Sequence, residues 1–473
     1  MTVARPYRKQ LGSWDSMPGI GMAMLFLAML FVVAPQSVYA KETVKPTVSN
    51  HVVELFGEPP AVPAGDLSPE LQKALDLVFD EGVIGEEWST EQIEALVTIG
   101  ESGDPRLGWI ISDMMRFASQ SRIGFLLATT VSLLLDIDFE NGNHWGKTTD
   151  HLMAWNIPEP PNYLKYKRGI YTTLVPGWDR IFVDGDIDWR HVSWGGVLID
   201  DRPFDRTDEE CNCIPAADNP KVTDVAGAKW LKDKAVVFGL EVNGEFRAYP
   251  RQIMEVREMV NDTLGGRNLG IPYCTLCAAA QAYYTDGLAE GIERPVLRTS
   301  GLLIRSNKVM YDVNTYSVFD TFLGKAVTGP LAEKNVQLKQ ASMITTTWGE
   351  WKKAHPKTTV LAEELALGRD FDFRNGRDAD GPIFPVGDTD PRLPIHEDII
   401  GIVTKSGTAV AFPRTQAMVA LSKGEKVEYE NIELKLSAGG VKAVDEKGAD
   451  AGSHQAFWFA WSQFHPETKL WVN

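Results

Sequence analysis

Residues 235–250 read AVVFGLEVNGEFRAYP. Ala235 to Val242 is strand-like, and Asn243-Gly244 is the dipeptide that suits a two-residue hairpin turn, where both positions need a left-handed backbone. Glu245 to Tyr249 returns as the partner strand, and Pro250 stops it. The hairpin marks where the chain becomes β-rich. Arg251 to Val260 reads as a short helix, Asn261 to Gly266 as a turn and Asn268 to Tyr273 as a further strand. That strand runs into Cys274-Thr-Leu-Cys277, and the alanines at 278–280 are good helix formers, so a helix is expected to open there.

Downstream, the hairpin region has an echo. Trp348, Trp351, His355, Pro356 and Thr358 match Trp458, Trp461, His465, Pro466 and Thr468 one for one, and Arg247-Ala-Tyr-Pro250 matches Val410-Ala-Phe-Pro413. A repeated strand-and-helix unit accounts for both, with cysteines only in the first copy. Trp348, Trp351 and His355 share one helix face, Thr347 with Glu350 forms a capping box, and Pro356 ends the element. His355 at a helix C-terminus reads as structural rather than as a ligand or base.

Upstream the pattern is helical. Ser68-Pro69 and Ser89 with Gln92 are helix starts, Asp104-Pro105 opens another, and the apolar stretch Ile123 to Leu135 is a buried helix, too short to span a bilayer. Between the two regions lie Trp178, Trp189, Trp194 and Asp184-Gly-Asp-Ile-Asp188. An EF-hand loop counted from Asp184 would need Gly where Trp189 stands and Glu where Gly195 stands, so the acidic run reads as a solvated turn.

The N-terminus has Arg5, Arg8 and Lys9, an apolar run from Ile20 to Ala34, and Val38-Tyr39-Ala40 as a small-x-small cleavage site. That is the layout of a secretory signal, the rival being an uncleaved membrane anchor. Either way the body is expected outside the cytoplasm, most simply in the periplasm. A formal net charge of -17 over 473 residues, with no dense basic block, argues against nucleic-acid binding. The chain has no phosphate-binding Walker loop, no H-E-x-x-H and no G-x-S-x-G.

Export gives weight to the four cysteines. Cys274 at a helix N-terminus would meet unpaired N–H groups that favour a thiolate, with Cys277 one turn on as the resolving thiol. Arg257, if near, would hold the thiolate by charge. A second reading gathers Cys211, Cys213, Cys274 and Cys277 as ligands of zinc or copper. A third leaves two structural disulfides in a non-enzymatic envelope binding module. Ser300 to Tyr311, around Arg305, Ser306 and Asn307, reads as a strand or turn on a cleft wall.

NGEFRAYP at 243–250, EMVNDTLGG at 258–266, YCTLC at 273–277, SNKVMYD at 306–312 and TTWGEWKKAHPKT at 346–358 together resemble a large bacterial family of unknown function, over roughly residues 170–473. Its members are often exported or lipid-anchored, and some are described as candidate selenoproteins, which implies redox use of the cysteine region. Two positions depart from that family's pattern: Arg257 stands where a histidine precedes Glu258, and Ala278 where a glycine follows the second cysteine.

The expected architecture is α+β: a helical N-terminal domain, then a duplicated β-rich region with short helices. The boundaries are a signal peptide at 1–40, helical domain 41–150, Trp/Asp-rich linking region 151–234, first repeat 235–370, linker 371–394 and shortened second repeat 395–473. The expected function is a C-x-x-C thiol redox site with a protein or small-molecule thiol partner.

Overall fold

A computed structural model describes residues 43–80, 88–118, 121–139, 142–206, 209, 211–362 and 381–472. The signal segment at 1–40 and the first ten residues of the expected linker, 371–380, lie outside the described residues. The fold is mixed α+β.

The helices are Asn50–Phe56, Pro69–Leu75, Thr90–Glu101, Gly108–Ala118, Arg122–Leu135, His144–Ala154 and Tyr163–Leu174. Their starts follow the local chemistry: Ser68 caps with Pro69 in the first turn, and Ser89 and Gln92 form a reciprocal capping box. The helical run passes residue 150 to Leu174 and does not close a core of its own. Its apolar faces join Val192, Leu302, Val309, Tyr311 and Val318 of the sheet region in one cluster, and the chain from Val44 onward is one compact unit. Among the described residues, no helix is long and apolar enough to cross a membrane.

Two sheets surround the cysteine region. One has the order Lys339–Ala341, Ala282–Tyr284, Arg267–Cys274, Met259–Leu264, Ala217–Asp218. The other has the order Lys325–Ala326, Val318–Asp320, Asn307–Asp312, Leu297–Ile304, Val192–Trp194.

A further pair of sheets shares one plan. In the first, Ile344–Thr347 lies antiparallel to Val236–Val242, which lies antiparallel to Glu245–Pro250, which runs parallel to Thr359–Leu361. In the second, His454–Phe457, Asp398–Val403, Ala409–Pro413 and Lys469–Leu470 repeat that order and those directions. Helices Arg251–Arg257 and Trp348–Ala354 follow their strands in the first, Arg414–Ser422 and Trp458–Phe464 in the second. The Asn243-Gly244 turn forms with φ of 49° and 81°. The paired tryptophans explain the echo. A Cβ on Gly239 would lie 2.2 Å from the Trp351 ring, and one on Gly401 2.3 Å from the Trp461 ring. Each indole N–H then donates to a threonine, Trp351 to Thr358 at 2.9 Å and Trp461 to Thr468 at 2.8 Å. His355 and His465 lie against their own tryptophans, with ring centroids 4.4 and 4.1 Å away, which fits a packing role.

Candidate functional site

The Cys274–Cys277 segment is a turn between strands, not a helix start. Ala279 pairs back with Cys274 and Ala280 with Tyr273, and Ala278 closes the turn at φ 49°. Ala282–Tyr284 is a strand between Arg267–Cys274 and Lys339–Ala341. The alanines' helix propensity loses to their pairing with the end of Arg267–Cys274, and the β-favouring tyrosines that follow are paired on both sides. The expected helix N-terminus is therefore absent, and the thiols sit in a different electrostatic setting.

Both thiols are unbonded and buried, Cys274 at 2 % exposure and Cys277 at 0 %. Both donate to one acceptor, the Ser306 carbonyl, at 3.8 and 3.4 Å. Ser306 belongs to a two-residue turn with Arg305, joining Leu297–Ile304 to Asn307–Asp312. Both turn residues have positive φ, 45° and 67°, which a hairpin of this length requires and which glycine or asparagine supplies at lower cost. Arg305 anchors the turn: it donates to the Val386 carbonyl at 2.9 Å and to Gln463 Oε1 at 2.5 Å. The cysteine turn docks on the same side of the molecule, its Cys277 carbonyl accepting from Phe457 N–H at 2.9 Å. The two cysteines share one buried cluster with Phe322, Val386, Ile399, Trp458 and Trp461.

The cation of the site is Lys308. Its ammonium donates to the Glu258 carbonyl at 2.6 Å and the Tyr273 carbonyl at 3.0 Å and pairs with Glu258 Oε2 at 2.9 Å. Glu258, itself at φ 48°, also accepts from Thr275 Oγ1 at 3.1 Å. Burial works against a charge on Cys274, and Glu258 adds to that. The Cys277 hydrogen bond, the Lys308 charge and the Lys308 backbone N–H act the other way and leave the Cys274 thiol below its ordinary range. Burial and the neighbouring Cys274 push Cys277 far up. The first proton of the pair is therefore held less tightly than that of an ordinary thiol, and the second more tightly.

The cation that lowers Cys274 is Lys308, and the expected Arg257 is seen at a different contact. It ends helix Arg251–Arg257, and its guanidinium reaches the Pro215 carbonyl at 3.4 Å. Asn261 is bound to Asp218 and Leu297, and Asp262 to Arg247 and Tyr249. The four cysteines do not gather either. Cys211 and Cys213 are bonded to each other, and among the described residues the ligand-type cluster there is Asp200, Cys211 and Cys213. Asp200 is already engaged by Arg202 and the Ala216 N–H, and a disulfide supplies no thiolate, so the four-sulfur zinc or copper centre is not formed. A surface cleft of about 680 Å³, lined by Glu159, Lys165, Arg168 and Asp184 among others, contains no cysteine.

Reading the residues missed Lys308 and Glu258 as partners. The available signal was a lysine inside Asn307–Asp312, a strand buried at every position, where a charge needs an opposite one.

A family model described as a protein of unknown function (DUF3179) matches residues 211–452. No curated protein and no solved structure matches the chain.

Proposed function

The chain belongs to the DUF3179 family, and from that premise we propose that it is an exported protein whose Cys274–Cys277 pair is a thiol–disulfide redox site. The observation that carries this reading is the pairing of two adjacent buried thiols on one carbonyl beside the Lys308–Glu258 ion pair. Such a pair suits one-thiolate chemistry: Cys274 is the nucleophile, and Cys277 keeps its proton until it resolves the intermediate. Oxidation removes two electrons and two protons from the pair, and an oxidised partner accepts them. The Cys211–Cys213 disulfide supports placement outside the cytoplasm, where such bonds persist. Cleavage after Ala40 would leave a mature chain starting at Lys41. We read the two matching sheets as one unit present twice, the first carrying the chemistry and the second covering it.

Differential alkylation tests the site. Native protein is blocked before and after mild reduction, and residues 274 and 277 are followed by peptide mass. A reversible exchange between thiol and disulfide at both positions is expected. A pair that stays in one state under every redox buffer rejects the role. Recovery of metal with the purified protein, lost on alkylating these thiols, would favour the metal reading instead.

A further inference from the structure

We infer that the oxidant of this pair is a small hydroperoxide rather than a protein disulfide. The inference rests on the thiol redox reading above. Its first ground is access. Exchange with a protein disulfide needs a partner sulfur, with its attached chain, in line with Cys274 Sγ. Solvent touches 2 % of Cys274 and none of Cys277, and Phe322, Trp458 and Trp461 belong to the cluster that packs them. The Cys277 carbonyl also holds the Phe457 N–H, which keeps the cysteine turn in place.

The second ground is a set of buried polar atoms on the turn whose Ser306 carbonyl both thiols share. Ser306 supplies the carbonyl both thiols share, yet among the described residues its own Oγ has no partner. Asn307, fully buried, leaves both Oδ1 and Nδ2 unsatisfied. Buried amides in that state are costly, and each such group calls for an explanation. A hydroperoxide carries the donors and acceptors that an amide and a hydroxyl together require. Lys308 follows directly, its ammonium held beside Glu258.

The chemistry balances as follows. The Cys274 thiolate attacks one peroxide oxygen, the O–O bond breaks, and Cys274 becomes a sulfenic acid as hydroxide leaves. The Cys277 thiol, hydrogen-bonded to Cys274, protonates that hydroxide to water. The resulting Cys277 thiolate attacks the sulfenic sulfur, the S–S bond forms, and a second hydroxide leaves. Lys308 protonates it and is recharged from solvent. Two thiols are oxidised to one disulfide, and one hydroperoxide is reduced to two waters, or to an alcohol and a water.

The test treats reduced full-length mature protein with hydrogen peroxide, an oxidised thioredoxin-type protein, or a small aromatic disulfide, and follows the loss of two hydrogens by intact mass. Peroxide is expected to close the 274–277 bond about 10²-fold faster than in the urea-unfolded chain, the scale of preorganised donors acting on a leaving oxygen. Cys277→Ser should stop at a sulfenic acid on Cys274, captured by a dimedone-type probe. If that variant does not fold, the same probe added to the wild type during turnover reads the same species. Asn307→Ala should slow the peroxide step while leaving the Cys274 titration unchanged. Oxidation by either disulfide with peroxide no faster than in the unfolded chain overturns the substrate class and leaves the redox reading standing. No oxidation by any of the three overturns both.

Discussion

Lys308→Met is the perturbation that reports most directly on the site. The Lys308 and Glu258 side chains are 4 % and 11 % exposed and 2.9 Å apart. Removing the ammonium strands a buried carboxylate and frees the Glu258 and Tyr273 carbonyls from their shared donor. Breaking a buried pair from one side costs about 3–5 kcal/mol, and about 4 kcal/mol is expected here. Lys308→Met with Glu258→Gln removes the stranded charge and should recover a large part of that loss. The thiol reads out separately. Lys308 favours the Cys274 thiolate and Glu258 opposes it, so the Cys274 pKa should rise in Lys308→Met and fall in Glu258→Gln. Urea denaturation measures the first quantity, and thiolate ultraviolet absorbance against pH the second. A Cys274 pKa that is unchanged or lower in Lys308→Met refutes the assignment, as does a stability loss below about 1 kcal/mol, the scale of an exposed pair.

Ser306→Gly should stabilise the fold by up to about 1 kcal/mol, since it relieves a positive φ and removes an unpaired hydroxyl; thermal unfolding checks it. Gly239→Ala and Gly401→Ala should each cost more than about 2 kcal/mol, because the new methyl meets a buried tryptophan ring; equal losses in urea denaturation would support the equivalence of the two sheets. Asp150 is half-buried beneath the Val386 and Gly387 N–H groups, and desolvation raises its pKa to about 6. The folded chain holds this proton where the unfolded chain has lost it, so the carboxylate penalises folding above about pH 6 and the penalty fades towards pH 4. Asp150→Asn should therefore be more stable than wild type near neutrality by up to about 3 kcal/mol, with the gap closing in acid. Burial holds His454 at about 3 and His465 at about 4, giving the opposite slope, stability lost as pH falls below the ordinary histidine range, so the comparison is made between variant and wild type. Replacing Cys211 and Cys213 together by serine opens a loop of three residues and should cost no more than about 1.5 kcal/mol, with no change in thiol reactivity at 274 and 277.

What was legible in the chain was local. The Asn243-Gly244 turn, the serine caps at 68 and 89 and the existence of helix Arg122–Leu135 each depend on neighbours within a few positions, although that helix leaves Phe125 and Leu133 exposed. The tryptophan–histidine echo could be read because each half repeats the same internal contacts, indole on glycine and indole N–H on threonine. The cysteine turn could not. Ala278–Ala280 carry helix propensity, yet Ala279 and Ala280 fold back on Cys274 and Tyr273, and the partners that hold the rest of the turn, Gly270 and Gln340 beside Tyr283 and Ser306 against the sulfurs, lie elsewhere in the sequence. Arg257 misled for the same reason: it is close to Glu258 in sequence, but the helix end aims it at Pro215. Lys308 was quoted in a motif, yet its role depends on a carboxylate fifty positions upstream.

The docking of the cysteine turn against Phe457, within a cluster that holds Trp458 and Trp461, has a practical consequence. Indole emission is quenched by neighbouring thiolates and disulfides to different degrees, so on the proposed redox reading these tryptophans would serve as an optical gauge of the cysteine pair. Stopped-flow fluorescence could then follow each oxidation state without any label, and Trp458→Phe against Trp461→Phe would identify which ring does the reporting.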